Sequence, residues 1–159
     1  MAELSVILVV DDREDEILLI RRALQQTKML NPVITMRSGE EAILYLSGEG
    51  KYRSREEYPL PELVLLDLKM PGMDGFEVLT WIRAQPAFRA LRVVVLTSSD
   101  QIYDVNKAYE LGANSFLVKP TSFNNYVEVL RAMNGYWLWM SKTPQIERPA
   151  KKVPKGEKS

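Results

Sequence analysis

Short, continuous apolar runs occur at 6–10, 63–66, 93–96 and 116–118, and longer stretches between them place apolar residues every three or four positions. Runs such as Val93-Val94-Val95-Leu96 do not alternate with polar residues, which is the pattern of strands buried on both faces. The pattern predicts strands near 5–10, 33–37, 62–66, 92–96 and 115–118, and helices near 13–28, 39–47, 75–84, 101–111 and 123–141. Five strand–helix repeats imply a parallel sheet with helices on both faces. On a helical wheel the first helix has a core stripe of Ile17, Ile20, Ala23 and Leu24 and leaves Leu18 nearly opposite, amid Arg13, Glu14, Arg21 and Arg22. Such a leucine fits a partner contact or an isolated surface residue equally well.

End signals agree with this division. Ser38 with Glu41, and Asp74 with Glu77, have capping-box spacing. Asp100 and Ser122 are placed to cap the fourth and fifth helices, and Gly112 to stop the fourth. Pro71-Gly72 makes a turn after the third strand. The connection 48–61 is long and polar, with Tyr52 and Tyr58 in it. From Thr143 the chain turns to Pro144, Pro149 and Pro154 with Lys151, Lys152, Lys155 and Lys158, a composition that builds no core. One domain over 1–142 and a basic, disordered tail over 143–159 are therefore expected.

Polar residues at the strand ends carry the chemistry. Asp11-Asp12, Asp67, Thr97 and Lys119 each stand just past an apolar run, which puts them at the carboxyl edge of a parallel sheet, where ligands bind. Each has a plain reading by itself: a helix-capping pair, a strand-end acid, a turn threonine, a loop lysine. Their recurrence at successive strand ends argues for a site. Three carboxylates, a hydroxyl and an ammonium suit a hard divalent cation and a phosphoryl group. Two carboxylates ~4 Å apart repel by about 4 kcal/mol at an effective dielectric near 20, so the fold must raise a carboxylate pKa or recruit cations. Asp67, alone after the central strand, is the best nucleophile candidate, since a carboxylate can form an aspartyl-phosphate.

Composition narrows the chemistry further. The 159 residues include no cysteine and no histidine, which excludes disulfides, thiolate or imidazole metal sites, a Ser-His triad and a phosphohistidine. Formal net charge is zero, so no basic field argues for nucleic acid. No apolar stretch approaches the ~20 residues of a membrane span, and the N-terminus does not resemble a signal peptide. The expected location is cytoplasmic.

Val9-Val10-Asp11-Asp12, Leu65-Leu66-Asp67-Leu68-Lys69-Met70-Pro71-Gly72-Met73-Asp74-Gly75, Val95-Leu96-Thr97-Ser98 and Val118-Lys119-Pro120 together resemble the receiver domain of two-component response regulators, over about residues 5–135. The resemblance implies a flavodoxin-like (βα)5 fold of strand order 2-1-3-4-5. It implies Asp67 as phospho-acceptor, with Mg²⁺ held by Asp11, Asp12, Asp67 and the Lys69 backbone carbonyl. It also implies Thr97 as switch hydroxyl, Phe116 as the coupled switch aromatic, and a cis Lys119-Pro120 peptide that helps to aim the ammonium inward. Lys69 and Ser99 would flank the path of hydrolytic water. The phosphoryl donor would be a sensor histidine kinase. The protein would then be a signalling phospho-acceptor with slow self-dephosphorylation, not an enzyme.

Output must come through interaction. The fifth helix is aromatic, with Tyr126, Tyr136, Trp137 and Trp139, and Trp137-Leu138-Trp139-Met140 cannot all face one core stripe. Homodimerisation through the fourth helix, fifth strand and fifth helix is expected. The Tyr136-Trp137-Leu138 segment, the longer second loop and the lack of an output domain resemble single-domain regulators paired with bacterial phytochrome histidine kinases. Three alternatives compete. A degenerate receiver serving only for docking would lack part of the site set. A phosphatase of the haloacid dehalogenase type would need an acid where Lys69 stands. A flavin carrier is disfavoured by the acidic pocket.

Overall fold

The computed structural model describes residues 5–135. Five strands, β1 (Val6–Val10), β2 (Val33–Met36), β3 (Pro61–Leu66), β4 (Arg92–Thr97) and β5 (Ser115–Val118), form one sheet of order β2-β1-β3-β4-β5 with every pairing parallel. The α-helices between and after them are α1 (Glu14–Gln26), α2 (Gly39–Ser47), α3 (Gly75–Ala84), α4 (Ile102–Glu110) and α5 (Phe123–Asn134). This is the expected flavodoxin-like order. The chain winds outward from β1 to β2, then crosses back to β3, and the crevice where direction reverses lies between β1 and β3.

Alternate strand residues feed two apolar layers. Leu8, Val10, Val64, Leu66, Val93 and Val95 pack beneath α2, α3 and α4. Ile7, Val9, Leu63, Leu65, Val94 and Leu96 pack beneath α1 and α5. The predicted α1 stripe of Ile17, Ile20, Ala23 and Leu24 is buried, while Leu18 is 49% exposed. Full burial of each large aliphatic side chain contributes about 1.5–3 kcal/mol, so the stripe fixes which face of α1 meets the sheet.

The caps agree in part with the sequence. Asp74 and Glu77 close a full capping box, and the Ser38 and Ser122 hydroxyls accept from the amides of Glu41 and Asn125. Asp100 does not cap α4, which starts after Gln101. Ser99 takes over this turn: its hydroxyl accepts the Gln101 N–H at 3.3 Å and donates to Asp104 at 2.5 Å. The 48–61 connection is more ordered than its polarity suggests. It contains a 3-10 turn at Gly50–Tyr52, and Tyr45, Tyr52 and Tyr58 pack tilted or edge-to-face with centroids 5.1–6.2 Å apart. Arg55 donates to the Tyr45 and Leu46 carbonyls at 2.8 and 2.6 Å, tying the loop to the last turn of α2. The expected continuation of the fifth helix to 141, with Tyr136, Trp137, Leu138, Trp139 and Met140, and the 143–159 tail lie outside the described residues. Among the described residues no helix is long and apolar enough to cross a membrane.

Candidate metal and phosphoryl site

Parallel pairing continues one step past the strands and sets the carboxylates side by side. Val10 is in register with Leu66; beyond them the Asp67 N–H donates to the Val10 carbonyl at 3.0 Å and the Asp11 N–H to the Met36 carbonyl at 3.1 Å. On the other flank Thr97 ends β4, and its carbonyl accepts the Lys119 N–H at 2.7 Å. Gly75 lets the start of α3 approach this edge, since a Cβ there would sit 2.2 Å from the Asp67 carbonyl oxygen.

The side chains converge. Asp11, Asp12 and Asp67 each offer a carboxylate oxygen, all within 4.8 Å of one another. The Lys119 ammonium lies 2.7 Å from Asp11 Oδ2 and 3.7 Å from Asp67 Oδ2. Thr97 is fully buried, and its hydroxyl is near enough to Asp67 to help hold that carboxyl down. Burial is the largest influence on Asp67 and pushes its carboxyl above the ordinary range; Asp11 adds to this, while Lys119 and the Thr97 hydrogen bond oppose it.

The donor set fits a hard divalent cation. Its ligand atoms are carboxylate oxygens, which suit Mg²⁺, Ca²⁺ or Mn²⁺. Lys119 offsets one of the three carboxylates. Asp12 Oδ1 is buried and has no hydrogen-bond partner among the described residues, and a cation held by the three carboxylates would satisfy it.

Two further residues expected from the resemblance have neighbours of their own. Phe116 is half-buried against the apolar layer beneath α2, α3 and α4, and its N–H donates to the Tyr109 hydroxyl at 3.1 Å. The Lys69 ammonium turns to Asp104, at 3.3 Å. The expected cis Lys119-Pro120 peptide is not found; the described residues contain no cis peptide bond. The trans form is intrinsically favoured by about 0.5–1 kcal/mol before proline. The contact with Asp11 suffices to draw the ammonium inward.

Sequence reasoning missed a second layer. Glu16, in the first turn of α1, places Oε2 3.9 Å from the Lys119 ammonium and accepts the Tyr126 hydroxyl at 3.0 Å. Burial, then the charge of Glu16, push the Tyr126 phenol well above its usual pKa. Glu16 stands in the first turn of the helix that follows Asp11-Asp12, close in sequence to the site, and this was the available signal. Asp104 was equally silent: it is 5% exposed, and its hydrogen bond from Ser99, then the Lys69 ammonium, hold its carboxyl below the usual range.

Comparison with known proteins agrees with this geometry. The chain is 38% identical over 140 residues to the probable methanogenesis regulatory protein FilR2 of Methanothrix harundinacea, covering 87% of each. It is 35% identical over 134 residues to the response regulator Rcp1 of Synechocystis sp., covering 84% of this chain and 89% of Rcp1. The crystal structure of Mn²⁺-bound Rcp1 superposes with a TM-score of 0.79 at 34% identity, over 88% of this chain and 99% of that one. The phosphorylated cyanobacterial phytochrome response regulator RcpA gives a TM-score of 0.83 at 32% identity, over 89% and 99%. The response regulator receiver domain matches residues 7–131, and the chain belongs to that family.

Proposed function

We propose that this protein is a phytochrome-type response regulator that accepts a phosphoryl group on Asp67 from a sensor histidine kinase, in a reaction that needs Mg²⁺. The observation that carries this reading is the convergence of Asp11, Asp12 and Asp67 within 4.8 Å beside the Lys119 ammonium. Asp11, Asp12, Asp67 and the Lys69 backbone carbonyl would hold the cation. Bound there, it supplies positive charge that neutralises the developing charge on the phosphoryl oxygens. Asp67 attacks phosphorus in line through a carboxylate oxygen. The bond from phosphorus to the donor histidine nitrogen breaks, and that nitrogen keeps the electron pair. Lys119 leaves Asp11 to pair with a phosphoryl oxygen, and Thr97 turns its hydroxyl to the new acceptors.

The signal follows from that turn. A phosphoryl group of about −1.5 to −2 charge draws Thr97, and the space it leaves admits Phe116 more deeply, which repacks the face built from α4, β5 and α5. Ile102, Tyr103, Tyr109, Val118 and Phe123 are exposed on these elements, which supports a dimer or docking face. Lys69 and Ser99 stand at the rim as the residues that set the lifetime of a slowly self-hydrolysing acyl phosphate. The pairing of Lys69 with Asp104 speaks against a dehalogenase-type general acid at that position. The protein would act in the cytoplasm.

Incubation with acetyl phosphate and Mg²⁺ followed by intact mass tests the assignment. The wild type gains one phosphoryl group and Asp67→Asn gains none. A gain in both, or in neither, refutes it.

A further inference from the structure

The ammonium of Lys119 has a third neighbour that the phosphoryl reading does not use. Glu16 Oε2 lies 3.9 Å away, against 2.7 Å for Asp11 Oδ2. The same Glu16 oxygen accepts the Tyr126 hydroxyl at 3.0 Å. The side chains of Lys119 and Glu16 are 6% and 18% exposed and Tyr126 is 1% exposed overall, so little water reaches the ammonium or the phenol. The three come from different places: Glu16 from α1, Tyr126 from α5, and Lys119 from the loop between β5 and α5.

A carboxylate this close to a buried ammonium tends to close into contact, because a charge-assisted hydrogen bond is stronger than a bond to a neutral hydroxyl. Glu16 has not closed. Its oxygen nearest the ammonium accepts the hydrogen bond from the Tyr126 hydroxyl, and Tyr126 is fixed on the core face of α5. At 3.9 Å the attraction steadies Lys119; at contact it would compete with a phosphoryl oxygen for the same ammonium.

We propose that Tyr126 is a positioning residue for phosphoryl acceptance: its hydroxyl tethers Glu16 short of Lys119 and leaves the ammonium free to pass from Asp11 to the incoming phosphoryl group. The proposal rests on the reading of Asp67 as acceptor. It differs from a plain clamp between α1 and α5, in which losing either partner of the bond would have the same effect. Here loss of the hydroxyl is harmful because of the carboxylate, and removing the carboxylate's charge cancels the harm.

A double-mutant cycle on the full chain separates the two. The rate of phosphoryl gain from acetyl phosphate with Mg²⁺ is read by intact mass, with melting curves alongside. Tyr126→Phe slows the gain about five-fold, the scale of one hydrogen bond. Adding Glu16→Gln restores the rate, although the bond between α1 and α5 is then lost from both sides. A Tyr126→Phe variant as fast as wild type overturns the proposal, as does a double variant as slow as the single. A wild type that gains no phosphoryl group overturns the functional reading and this proposal with it.

Discussion

A carboxylate is harder to ionise the less water it keeps, and Asp67 keeps little: it is 5% exposed, and Asp11 adds a like charge at its side. Its folded-state pKa is therefore raised over that of the unfolded chain. A group shifted this way favours the fold in acid, where both states are protonated, and that advantage is lost as pH rises through the folded pKa. At neutral pH without divalent cation Asp67 thus weakens the fold, and Asp67→Asn should melt higher, by about 2–4 °C for each kcal/mol relieved in a chain of this size. The gap should narrow as pH falls toward the ordinary carboxylate range. An asparagine variant that melts lower at pH 7 contradicts this account. Asp11, Asp12, Asp67, Thr97 and Lys119 were legible because a strand end points its next residue at the sheet's edge whatever the helices do. Glu16, Asp104 and Tyr126 were not, because a helix residue meets the site only through the angle at which its helix packs. Lys119 faced three carboxylates that sequence alone could not rank; distance ranks them Asp11, Asp67, Glu16.

At the scale of elements, apolar runs marked the strands well because the strands are covered on both sides. The edge strand β5, half-buried over most of its length, was also short and continuous enough to read. Helix faces followed from the 3.6-residue period, as α1 illustrates. The ends were less legible. Asp100 looked like the α4 cap, but Ser99 reached the turn first and tied it to Asp104. The tyrosine cluster of 45, 52 and 58 escaped notice because its members come from α2 and the following loop, and only the fold brings the rings together. The outer face of α1 carries the element-scale prediction. Leu18 is 49% exposed and buries nothing in the core, so Leu18→Asp should leave thermal stability within about 0.5 kcal/mol of wild type. Phosphotransfer from the partner histidine kinase, measured by radiolabel, should slow about ten-fold if the kinase rests on this leucine. Unchanged transfer would remove α1 from the docking surface.

For the whole molecule, the site and the proposed output face meet through the sheet's far edge. Thr97 stands at the end of β4 near Asp67, Phe116 packs from β5, and Tyr109 of α4 holds the Phe116 N–H. A change at Asp67 thus has a short route to the exposed Ile102, Tyr103 and Tyr109 of α4. Burying that apolar surface between two copies predicts a dimer, and light scattering with and without beryllofluoride tests it; a monomer at high concentration in both states excludes self-association as the output. Underneath lies the claim that the acidic crevice between β1 and β3 is a cation site. Calorimetric titration with Mg²⁺ at neutral pH tests this most directly. One ion should bind per wild-type chain, and Asp12→Asn, which removes a charge and the unsatisfied buried oxygen, should weaken binding at least ten-fold, about 1.4 kcal/mol. No saturable binding by the wild type, or the same affinity in both proteins, would contradict the account.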